Sequence, residues 1–82
     1  MLNVKPSLAA YGEREVLAAI GNGAVETLLV SESLDEAKAE GFSDRAEKFG
    51  GRVIIISTET QEGAQLVGLG SIAAILRFPL KS

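Results

Sequence analysis

Four β-branched residues stand in a row at Val53-Ile54-Ile55-Ile56. No other stretch constrains the fold as much. Branched side chains lose rotamer freedom in a helix and pack well on a pleated sheet. The run also lacks the apolar-polar alternation of a half-exposed strand. A strand over 52–57, central in its sheet and covered on both faces, is therefore expected. Gly50-Gly51 leads into it, and Thr58 and Thr60 follow it.

The other elements arrange themselves around that strand. "AVETLLVS", 24–31, reads as a second strand with two largely apolar faces. Val25, Thr27 and Leu29 share one face; Ala24, Leu28 and Val30 share the other with Glu26. "SIAAILRF" reads as the last strand, with Ile72, Ala74, Leu76 and Phe78 facing one way and Ala73, Ile75 and Arg77 the other. Val16, Leu17 and Ile20 form the stripe of a helix over 12–21. Gly21 and Gly23 stop it. In the polar connection, Ser33 and Glu36 have capping-box spacing, which predicts a short helix over 34–40 that Gly41 interrupts. Ser43 then caps a second helix over 44–49, with Phe42, Ala46 and Phe49 on one stripe. A third helix over 61–68 is capped by Thr58 with Gln61, or by Thr60. Residues 2–6, "LNVKP", offer an edge strand.

The order α-β-α-β-α-β places the chain in the α/β class. It predicts a three-layer α/β/α sandwich around a mainly parallel or mixed sheet of three to four strands. The 82 residues support one core. Residues 1–8 are expected to be a linker or an expression remnant, and residues 9–82 the single domain.

Function is bounded first by what is missing. The chain has neither cysteine nor histidine, so thiolate sites, imidazole ligands and the commonest general base are unavailable. The net charge of −3 opposes free-standing nucleic-acid binding. No apolar run is long enough to span a membrane, and residues 1–10 do not form a signal peptide. The expected location is the cytoplasm.

"GLGSIA", 68–73, has the spacing G-x-G-x-x-A, but it follows a helix and opens a strand. A dinucleotide site needs the reverse order, so this segment is expected to be a helix stop and a tight turn. The hydroxyls of Tyr11, Ser31, Ser33, Ser57 and Thr58 lack an activating histidine. The carboxylate pairs Asp35-Glu36 and Glu59-Glu62 lie at helix starts, where the helix dipole accounts for them. No catalytic, cofactor or metal residue is assigned, and an enzyme is not expected. Arg77 stands apart, after five apolar strand residues and before Phe78-Pro79. Either its stem lies along apolar surface with its head in water, or Arg77, Phe78 and Pro79 form a partner-binding spot at a sheet end.

Several segments, in order, resemble one family. They are Tyr11-Gly12 at the first helix, Gly23-Ala24-Val25 with Glu26-Thr27-Leu28-Leu29, Gly50-Gly51, and Ile72 to Phe78. Together they are similar to the C-terminal domain of the Pelota ribosome-rescue factors. Class 1 peptide chain release factors carry a related domain, and "TQEG" at 60–63 leans toward them. The length of "GAQLVGLGSI", 63–72, leans toward Pelota. Pelota usually has glycine where Ser71 stands and histidine where Thr60 stands. The resemblance implies an L30e/L7Ae-like fold and a non-catalytic docking role within an archaeal or eukaryotic translation surveillance factor. The implied partners are an elongation-factor-like GTPase, an ABC-type ATPase and, through the full factor, the ribosome. The domain itself would be monomeric. Two other readings are a release-factor domain and, by fold, an L7Ae-like RNA-binding module.

Overall fold

A computed structural model describes residues 8–78. The elements are β1 (Ala9–Tyr11), α1 (Gly12–Gly21), β2 (Val25–Ser31), α2 (Glu36–Lys48), β3 (Arg52–Ile56), α3 (Gln61–Gly68) and β4 (Ile72–Leu76). The proposed strand at 2–6 lies outside the described residues; the strand nearest the N-terminus there is β1.

The four strands lie in the order β1-β4-β2-β3. β2 and β3 run parallel, while β4 is antiparallel to both β1 and β2. The sheet is therefore mixed, which excludes the mainly parallel alternative. The cause is where α3 releases the chain. A helix of eight residues is only about 12 Å long at 1.5 Å per residue. It hands the chain to β4 at the end of the sheet where β3 finished. The Ser31 amide donates to the Ser71 carbonyl at 2.9 Å, and Ile72 pairs with Val30 near the end of β2. From there β4 can only run backwards along β2. The turn that enables this brings Gly70 against Gly12: a Cβ on Gly70, whose φ is +108°, would lie 2.9 Å from Gly12 Cα.

Helices cover both faces. α1 and α2 close the larger core, built on Val16, Ile20, Leu28, Val30, Ile72 and Leu76. α3 closes a smaller one of Leu29, Leu66 and Ala73, with Tyr11, Ile56 and Ile75 packed against it. The alternation read for β4 holds, with Ile72, Ala74 and Leu76 in the larger core and Ala73 and Ile75 at the smaller. In β2, a register shift between Val25 and Thr27 moves Val25 into the larger core with Leu28. Each fully buried Leu, Ile or Val contributes about 1.5–3 kcal/mol.

Two further expectations are corrected. α2 is one helix of 13 residues that runs straight through Gly41. Asp35, not Ser33, caps it, accepting from the Lys38 amide at 3.3 Å. One helix-interior glycine costs only about 1 kcal/mol, too little to break a helix whose Phe42 and Ala46 pack on the core. β3 is also not central. It forms the sheet's edge, with Ile54 39% and Ile55 58% exposed. Val53 packs on the larger core and Ile56 on the smaller. Branching dictated extended backbone here, not burial.

Candidate functional site

The end of β4 carries Arg77, the residue that stands apart in the sequence. After Leu76 the Arg77 amide donates to the Ala24 carbonyl at 2.8 Å, which carries the pairing one residue beyond the strand. The guanidinium turns back across the sheet end. Its Nη2 donates to the Val25 carbonyl at 2.8 Å and to the Phe49 carbonyl at 3.4 Å. Arg77 thus ties the start of β2 to the C-terminal cap of α2. The head is held by backbone carbonyls instead of reaching into water, a structural use that neither reading of the sequence included. Phe78, beside it, is 44% exposed. Pro79 lies outside the described residues.

The same sheet end carries a residue that sequence reasoning missed. The sequence places Phe49 on one stripe with Phe42 and Ala46. Ala46 is buried and Phe42 packs against the core, but Phe49 is 51% exposed. It is the C-cap of α2, one position past the helix. A Cβ on Gly23 would lie 3.7 Å from the Phe49 ring, so the ring sits over the turn after α1. The missed signal was Gly50-Gly51: a residue next to a helix stop leaves the helical stripe.

The other chemical motifs resolve into local structure. Gly68 ends α3 and Gly70 lies in the turn, so "GLGSIA" presents a helix C-terminus with carbonyls, not the amides that hold phosphate. Thr60 caps α3, accepting from the Gly63 amide at 2.9 Å while donating to the Ser57 carbonyl at 2.8 Å. The buried Ser31 hydroxyl is bonded to that of Ser33 at 2.8 Å. Glu32 accepts from the Thr58 amide at 2.6 Å and the Thr58 hydroxyl at 3.2 Å. The Thr58 amide first, then the Ser57 and Thr58 hydroxyls, hold its carboxyl below the ordinary value. Among the described residues, no three carboxylates converge as metal ligands, and no helix is long and apolar enough to cross a membrane.

Comparison with known proteins agrees with the motifs. The family described as eRF1 domain 3 matches residues 1–80. The pelota homologue of Methanocaldococcus jannaschii is 46% identical over 78 residues, covering 94% of this chain and 22% of that protein. This chain therefore spans about a fifth of the length of the curated relatives it matches. Archaeal Pelota, in a structure of ribosome-bound Pelota and ABCE1, superposes with a TM-score of 0.79 at 41% identity, over 94% of this chain and 23% of that one. Dom34 of S. cerevisiae, a translation termination-like factor involved in RNA quality control and interacting with Hbs1, gives a TM-score of 0.83 at 32% identity, over 93% and 23%. The archaeal translation termination factor aRF1 gives 0.76 at 36% identity, over 87% and 20%.

Proposed function

The chain belongs to the eRF1 domain 3 family, and from that premise we propose that it is a non-catalytic docking domain of a Pelota-like translation surveillance factor. Residues 9–82 would form the domain and residues 1–8 a linker to preceding domains. The observation that carries this is the 46% identity to a pelota homologue across 94% of the chain. The factor's work would be rescue and recycling of stalled ribosomes in the cytoplasm. The partners would be an elongation-factor-like GTPase, supported by the interaction of Dom34 with Hbs1, and an ABC-type ATPase, supported by the ribosome-bound Pelota and ABCE1 structure. The domain would act as a monomer.

Phe78, with Arg77 and Pro79, is the proposed contact at the sheet end. An exposed aromatic beside an arginine is the composition of an interface anchor. The release-factor alternative rests on the aRF1 likeness, which reflects a related family. The L7Ae-like RNA-binding alternative is opposed by the net charge of −3.

The test is binding of the purified chain to the GTPase and the ATPase of a related archaeon. Binding to at least one, weakened by Phe78→Ala at unchanged stability, is expected. Binding to neither overturns the docking reading; binding that ignores Phe78→Ala removes the sheet end from it.

A further inference from the structure

A groove runs between α1 and α2, on the side of those helices away from the sheet. It consists of two adjoining hollows of about 200 and 430 Å³ that share Leu17 and Arg45. Leu17, 43% exposed, stands on the α1 side, and Phe49 closes one end. The charged residues lining it are cations, Lys38, Arg45 and Lys48, with the Glu13 carboxylate of α1 at the rim beside Lys38.

The lining is cationic although the chain carries eleven carboxylates and eight cations. This arises because α2 sorts its charges by side. At 100° per residue, Lys38 and Arg45 fall on the flank facing α1, with Phe42 and Phe49 between that flank and the core, and Lys48 lies further round toward solvent, at the end where Phe49 closes the groove. Glu36, Glu40 and Glu47 fall on the other flank, and Asp44 joins Lys48 on the side opposite the core. Lys38 is paired with Glu13 of α1 at 3.3 Å. Among the described residues, no carboxylate reaches Arg45 or Lys48. The helix dipole accounts for cations in the last turn of α2. It does not account for Lys38 and Arg45 sharing the flank that lines the groove.

Gly41 gives a second, independent observation. A glycine inside a helix is destabilising. Here the fold gains nothing from it, because a Cβ at Gly41 would meet no atom within 4 Å. The residue lines the groove. Its missing side chain leaves room that this chain does not use.

We propose that the α1–α2 groove is a docking site for an acidic, apolar-anchored segment of a partner protein. The anchor side chain seats on Leu17 and Phe49 beside Gly41, and its carboxylates meet Arg45 and Lys48. The geometry is that of a helix or short peptide laid in a groove, with cations on the rim steering the approach. RNA fits less well, since α2 also exposes four carboxylates, Glu36, Glu40, Asp44 and Glu47. The proposal rests on the docking-domain reading only in taking the partner to be a protein.

The test titrates the isotope-labelled 82-residue chain with three probes and follows its amide NMR signals. Two are peptides of equal length with leucine anchors at i and i+4, one flanked by glutamates and one by lysines. The third is a short uridine-rich RNA. The acidic peptide is expected to shift signals around Leu17, Gly41, Arg45 and Phe49, and to weaken with added salt. The double change Arg45→Glu with Lys48→Glu should weaken it by roughly tenfold or more. Gly41→Ala should raise the melting temperature yet weaken binding, a pairing that loss of fold cannot produce. The groove proposal falls if the acidic peptide binds no better than the basic one, if its shifts lie elsewhere, or if RNA occupies the groove in preference. It also falls if the GTPase or ATPase binds and is indifferent to all three groove changes, an outcome that leaves the docking reading standing.

Discussion

The Arg77 guanidinium donates to the Val25 carbonyl at 2.8 Å, joining residues 52 positions apart. The bond gives a strand-end arginine a structural duty in addition to any partner contact. Arg77→Ala should therefore lower stability by roughly 1 kcal/mol, and Arg77→Lys should recover only part, because an ammonium lacks the planar fork. Phe78→Ala, at an exposed position, should stay within about 0.5 kcal/mol. Urea unfolding checks all three. Equal losses at Arg77 and Phe78 would show that both act structurally.

Gly63 has no room for a side chain. A Cβ there would run into the Ser57 carbonyl oxygen, with the Thr60 hydroxyl 3.0 Å away. Both belong to the turn that caps α3, so backbone must move for Gly63→Ala to fold. A loss of roughly 1–3 kcal/mol is expected, seen as a lower urea midpoint. A neutral result would mean that α3 sits further from β3 than described.

Ser71 takes a φ of +68°, the one described non-glycine residue with positive φ. Left-handed backbone costs a residue with a Cβ about 1–2 kcal/mol, and the extra freedom that glycine gives the unfolded chain offsets part of that gain. Ser71→Gly should raise the melting temperature by about 2–8 °C. Ser71→Val should lower it. Calorimetry on the two variants tests the sign directly.

Much of the fold was legible because period and punctuation carry it. The faces of β4, the stop at Gly68 and the helices on both sides of the sheet follow from spacing alone. Strand order and direction do not, because they depend on how far a connection travels. α3 contains eight residues and emerges where β3 ended, so β4 reverses. The same gap affected the site. Arg77 was legible as an anomaly, but its Val25 partner needs the register of β2 against β4. Gly41 reads as a break in sequence and as empty space in the structure.

Ile55 tests the corrected place of β3. In a central strand its truncation would empty a core; at the edge it faces water on most of its surface. Ile55→Thr should change stability by less than about 1 kcal/mol, against about 2 kcal/mol or more for Ile72→Thr at a buried site on β4. Comparable losses at the two positions in urea titrations would return β3 to the interior.

Glu32 supplies the pH dependence. Its carboxylate accepts from Thr58 and binds the end of β2 to the turn after β3. The bonds hold its folded pKa below the ordinary value, so the unfolded chain takes up a proton first as pH falls. Its stabilising effect is then fully present above the ordinary carboxylate range and is lost as pH drops through that range toward the depressed folded value. Glu32→Gln removes this term. The difference in urea midpoint between wild type and variant should be constant near neutrality and shrink through the acid range. A difference that stays constant down to the acid transition would show that the Thr58 bonds contribute nothing specific to the ionised form.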